Sequence, residues 1–167
     1  MRCMEWAVLA LAFVLPAAAQ SNWQPGHAGL GFGQPAGKQS VQMASPGNIS
    51  LTAAQQPLAL RFSVDPGMHI NSHDPHSSFL IPTSLTFASA SGVTVGAIDY
   101  PPGKEFHLPV APQEALNVYT GDFSILAHVK AQPGTHILHG TLHYQACDNR
   151  ACNPPRTLPI TLTLHRQ

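Results

Sequence analysis

The sequence predicts an all-β fold, an antiparallel β-sandwich of about eight or nine short strands. Three observations lead there. Apolar residues recur with period two in four separate runs, which puts one face of each run in a core and the other in water. Turn-forming residues separate these runs, and the chain of 167 residues holds 16 Pro and 13 Gly. No stretch beyond the N-terminal leader shows the 3.6-residue period of an amphipathic helix.

Residues 1–19 have the pattern of a secretory signal peptide. Arg2 gives a positive start, Trp6 to Leu15 is unbroken and apolar, and Ala17 and Ala19 set small side chains before a cut ahead of Gln20. The apolar run is too short for a membrane span, which takes about 20 residues. The expected product is exported, cleaved after Ala19, and carries no membrane span. Residues 20–36, rich in Gly, Pro and Gln, read as a flexible arm. The sandwich domain is expected over 37–167.

The strands follow in order. The first is expected at 38–44. Leu58, Leu60, Phe62 and Val64 then alternate with Ala59, Arg61 and Ser63. Further strands are expected at 67–71, 79–88, 93–100 and 116–120. Phe123, Ile125, Ala127 and Val129 alternate with Ser124, Leu126, His128 and Lys130. Leu138, Leu142 and Tyr144 face away from His139, Thr141 and His143, and Ile160, Leu162 and Leu164 from Thr161, Thr163 and His165. Turns are marked at Asp65-Pro66-Gly67, Ser91-Gly92, Pro101-Pro102-Gly103, Thr120-Gly121-Asp122 and Gln132-Pro133-Gly134.

Composition narrows the function. Eight Lys and Arg balance eight Asp and Glu, which argues against the basic face that a nucleic-acid binder needs to neutralise phosphates, and a nucleic-acid partner is not expected. Neither a Gly-x-Ser-x-Gly elbow nor a phosphate loop is present. Once Cys3 leaves with the leader, Cys147 and Cys152 remain as one pair in a compartment where disulfides persist. Spacing alone leaves two readings of that pair open. It is either a modest structural staple, since so short a loop stabilises less than the ~3 kcal/mol of a fifteen-residue one, or an accessible and therefore labile bond. Arg150 would favour a thiolate there and Asp148 would oppose it.

Ten His is an excess that composition does not explain. Met68, His69, His73 and His76 fall close together and offer soft and imidazole ligands of the kind that suit copper or zinc. Asp74-Pro75 argues against the helix that would align them, and on a strand His76 would leave the face shared by His69 and His73. Polar loop residues are the plainer reading. No cofactor or metal ion is expected.

The segment Tyr144-Gln145-Ala146-Cys147-Asp148-Asn149-Arg150-Ala151-Cys152-Asn153-Pro154-Pro155 resembles the motif of the N-terminal periplasmic domain of the bacterial transmembrane reductase DsbD, also called the disulfide bond corrector domain. PGMHINS at 66–72, FLIPTSLTF at 79–87, YPPGKEF at 100–106, LNVYTGDF at 116–123 and TLPITLTL at 157–164 follow the family's order. The resemblance implies an immunoglobulin-like sandwich with one redox-active pair, Cys147 and Cys152. It further implies that Cys152 is the exposed, attacking sulfur. A cap loop at 103–107 would shield the pair, with Phe106 as its lid and Glu105 as a proton-handling neighbour. Such a domain accepts electrons from a membrane-embedded donor and hands them to periplasmic disulfide isomerases or thioredoxin-like proteins. Full reductases continue into a membrane domain, whereas this sequence stops at Gln167, so a separate membrane electron donor is expected. The function implied is periplasmic thiol–disulfide exchange of the protein-disulfide reductase type. The alternatives are a non-catalytic immunoglobulin-like binding module with a structural disulfide, and a periplasmic copper- or zinc-binding protein.

Overall fold

The computed structural model describes residues 39–45, 47–109 and 111–167; the expected signal peptide and arm lie outside the described residues. Among the described residues there are twelve strands and no helix. They are β1 (Val41–Met43), β2 (Asn48–Leu51), β3 (Gln55–Val64), β4 (His69–Asn71), β5 (Ser84–Phe87), β6 (Val93–Asp99), β7 (Lys104–Leu108), β8 (Ala111–Tyr119), β9 (Asp122–Ala131), β10 (Gly134–Tyr144), β11 (Ala146–Cys147) and β12 (Arg156–Arg166).

Two four-stranded sheets, in the orders β1-β3-β9-β6 and β2-β12-β10-β5, carry the core. The period-two runs supply it as expected. Leu58, Leu60, Phe62 and Val64 of β3 and Ile125, Ala127 and Val129 of β9 are buried, as are Leu138, Leu142 and Tyr144 of β10 and Ile160, Leu162 and Leu164 of β12. Each such large side chain removed from water contributes about 1.5–3 kcal/mol. Phe62 stacks on Phe123 with ring centroids 5.4 Å apart, and Phe123 on Tyr119 at 4.7 Å.

A third sheet, β11-β4-β8-β7, was not anticipated. The strand count therefore exceeds the eight or nine expected, because β2, β7 and β11 are short and lie at sheet edges. One pairing is parallel, β2 with β12. The strand expected at 79–88 shortens to β5. Pro82 has no N–H for a ladder, and Thr83 is tied instead to β4 and its end, donating from N to the Ser72 carbonyl at 3.0 Å and from Oγ1 to the Asn71 carbonyl.

The entry to β4 is built by its turn. Met68 N donates to the Asp65 carbonyl at 3.1 Å, and Gly67 has φ of 79°. Proline second and a positive-φ residue third is the type II arrangement, which only glycine adopts freely. It delivers His69 directly onto the third sheet.

Candidate functional site

Strands β10 and β12 pair without a break until Tyr144 faces Arg156. The chain between them carries both cysteines. Ala146 and Cys147 leave the long hairpin as β11 and pair with Ile70 and His69 of β4. Cys147 also bridges to Cys152, and the two are joined as a disulfide with Cα atoms 3.9 Å apart. This is closer than the roughly 4.4–6.8 Å of most disulfides. The cause is the local pairing. Asp148 N donates to the Ala151 carbonyl at 3.0 Å and Asn153 N to the Ala146 carbonyl at 2.8 Å, so the cysteines occupy the non-hydrogen-bonded position where opposed Cα atoms come nearest.

Asp148 shapes the turn between the sulfurs. Its Oδ1 accepts from Arg150 N at 2.7 Å and Ala151 N at 2.8 Å. The hydrogen bonds from Ala151 and Arg150 hold its carboxyl below the usual range, and the Arg150 charge adds to them. Its sequence signal was available, because Asp closing a turn onto the amides two and three residues ahead is a standard turn device. The two cysteines differ sharply in access: Cys147 is 3% exposed, whereas Cys152 lies on the exposed part of the loop.

The pairing registers decide what surrounds Cys147. It stands opposite His69, so the two side chains share a sheet face. Asn71 is on that face, since it lies two residues beyond His69, and Val118 opposite it extends the face to Lys104 and hence to Phe106. Phe106 indeed rests on the His69 ring, centroids 4.4 Å apart. Burial lowers the pKa of the His69 imidazole, against the opposing pull of the Asp148 charge.

The stretch expected as a cap loop, 103–107, lies almost wholly on strand β7. Its charged residues on an exposed edge hide the strand pattern in the sequence. Half-buried Phe106 meets His69, and an open groove of about 510 Å³ runs past both, with Met68 and Asn149 also lining it. Glu105 points to the opposite face, where it lines a separate groove beside Ser72 and Asn117. Its carboxylate accepts from His107 Nε2 at 2.8 Å. That bond raises the His107 pKa, helped by a second one from Nδ1 to the Pro112 carbonyl at 3.0 Å.

The remaining histidines of the cluster go separate ways. His73 lies flat on Tyr100 with centroids 3.7 Å apart, and its Nδ1 contacts the Thr83 carbonyl at 3.0 Å. His76 faces Asp74, Nε2 to Oδ2 at 3.7 Å. Half-buried Met68 lies beside His69. Among the described residues, no group of three or more His, Cys, Asp or Glu is gathered closely enough to hold a metal ion. No helix among them is long and apolar enough to cross a membrane.

The sequence sets His69 within the strand expected at 67–71 but does not reveal that this strand pairs with the cysteine segment. Nothing in the local pattern encodes that register.

Comparison with known proteins adds a family. The model described as thiol:disulfide interchange protein DsbD, N-terminal, matches residues 39–164. Two solved structures are similar. One is the N-terminal periplasmic domain of ScsB from Proteus mirabilis, at 15% identity and TM-score 0.49, covering 73% of this chain. The other is the reduced DsbD N-terminal domain of Neisseria meningitidis, at 19% identity and TM-score 0.43, covering 65% of this chain and 81% of that one. The chain spans 44% of the ScsB chain's length. No curated protein sequence matches.

Proposed function

Since the chain belongs to the family of the DsbD N-terminal domain, we propose that it is an exported, periplasmic carrier of electrons by thiol–disulfide exchange, working through Cys147 and Cys152. The observation that carries this reading is the asymmetry of the pair. One sulfur is enclosed by the sheet and the other stands on an exposed loop. Exchange needs an accessible thiolate to attack in line with a partner's S–S bond, and a second thiol close behind it.

In the reduced protein, the Cys152 thiolate attacks one sulfur of a partner disulfide. The partner's S–S bond breaks, its other sulfur leaves as a thiolate, and a mixed disulfide forms. Cys147 then attacks Cys152 Sγ, expels the partner's second thiolate and closes the Cys147–Cys152 bond. Two electrons and two protons have passed to the partner. Thioredoxin-like proteins or disulfide isomerases are the acceptors this reading expects, and a membrane-embedded dithiol is the donor that recharges the pair. Phe106 would cover the site between encounters through its contact with His69.

Two measurements test the proposal. The reduction potential of the disulfide should fall between roughly −180 and −270 mV, in the range of working oxidoreductases; a value below about −300 mV, with resistance to reduction in the fold, makes the bond a staple. Cys147→Ser should accumulate partner-linked adducts through Cys152, and Cys152→Ser should accumulate none. Equal trapping by both variants defeats the assignment of roles.

A further inference from the structure

We propose that His69 is the proton acceptor for Cys147 when that thiol closes the disulfide, an inference that rests on the reading of the pair as redox-active. The argument starts from a difficulty. Cys147 must become a thiolate to attack, yet it is 3% exposed, and burial in protein disfavours a thiolate. Bulk water cannot readily take its proton. The side chain directly across the β4–β11 pair is His69, and opposed residues in such a pair hold their Cβ atoms about 4.5–5.5 Å apart. Imidazole is the one side chain that accepts and releases protons readily near neutral pH.

Its surroundings suit the task. His69 is itself 3% exposed and lies under Phe106, so its ring is held on the sheet face it shares with Cys147. Burial favours its neutral, proton-accepting form, while the Asp148 charge stabilises the imidazolium once the proton has moved. Asp65 and Asp122 line the same groove, and Lys104 lies further along the same sheet face. The step balances. The Cys147 proton goes to His69, the thiolate forms its bond to Cys152 Sγ, the partner's sulfur leaves with the electron pair of the broken bond, and His69 passes the proton to that sulfur or to solvent.

The aromatic disulfide dithiobis(nitrobenzoate) separates the two exchanges. Mixed in excess with the reduced protein, it releases one coloured thiolate when Cys152 attacks, at a rate proportional to reagent. The second is released when Cys147 closes the bond, at a rate independent of reagent. His69→Phe, which keeps an aromatic ring on Phe106, should leave the first release unchanged, and His69→Gln is a second variant read at the closure step alone. Both should slow the second release by roughly 100-fold at neutral pH, the low end of what a positioned proton acceptor contributes. In the unaltered protein the second rate should fall on the acid side as His69 protonates, below its ordinary pKa of 6.5; both variants should lose that limb. Asp148→Asn keeps the Oδ1 acceptor of the turn but removes the charge facing His69, so it should move the limb to lower pH. A second release as fast as wild type in the His69 variants, or a limb unmoved by Asp148→Asn, overturns the inference. A disulfide that cannot be reduced in the folded chain removes the carrier reading and this one together. A reducible pair whose closure ignores His69 removes only this one.

Discussion

In the hairpin of β10 and β12, the buried side chains of the core are Leu138, Leu142, Tyr144, Ile160, Leu162 and Leu164. In the third sheet the buried positions include His69, Asn71 and Cys147, with Ser72 just beyond the end of β4. The first region joins two eleven-residue strands; the second contributes strands as short as two and three residues. Asn71 Oδ1 and Ser72 Oγ are buried there without a protein hydrogen-bond partner, against the Tyr144 hydroxyl in the hairpin, each costing about 1–3 kcal/mol. Stability therefore resides in the long sheets. The third sheet holds polar groups and a disulfide-bonded cysteine where a core would place aliphatic side chains.

The largest test of this division is Leu162→Ala. Leu162 is fully buried, and truncation should cost about 2–5 kcal/mol, seen as a lower urea midpoint. Changing both cysteines to Ser should cost less, about 2 kcal/mol for so small a closed loop, with the fold retained. If the double variant unfolds while Leu162→Ala does not, the division between scaffold and site is wrong. A smaller change of opposite sign is expected from Ser72→Ala, which removes an unpartnered buried hydroxyl and should stabilise by about 1 kcal/mol; a loss would reveal a partner for that oxygen.

The smallest effect belongs to the outer face of β7. The His107 pKa is raised, chiefly by the Glu105 hydrogen bond, so the ion pair is formed below the ordinary value of 6.5 and is lost as pH rises through the higher folded value. The pair is exposed, and stability should not register it. Proton NMR should, with the His107 ring titrating above 6.5 and returning toward it in Glu105→Gln. An unshifted His107 in the native chain would mean that Glu105 is not held to that face and is free to turn elsewhere.

The same contrast explains what could be read beforehand. Burial on one face writes a period-two record into a strand, so Leu58 to Val64, Phe123 to Val129 and Ile160 to Leu164 announced themselves. β2 and β11 are too brief to write any period, and on β7 the charges of an edge strand overwrite it. The cysteine pair, Glu105 and Phe106 were visible as residue types carried by a resemblance. Which face each occupies was not. That depends on Asn71 meeting Val118 and Val118 meeting Lys104, a chain of registers between segments far apart in sequence. His69 illustrates the loss most clearly: beside His73 and His76 it suggests a ligand set, whereas across the sheet it faces Cys147.

The hairpin of β10 and β12 has a consequence for how this surface can change. Tyr144 and Arg156 face one another where the ladder ends, so the chain leaves the sandwich and re-enters it at adjacent points. The long strands on either side fix the register whatever lies between those two residues. Residues 145–155 are in that sense a cassette, held at both ends and tied inward through the short pairing of β11 with β4. Drift, or a deliberate graft from another member of the family, can rewrite the surface this loop presents while the sandwich beneath it stays the same.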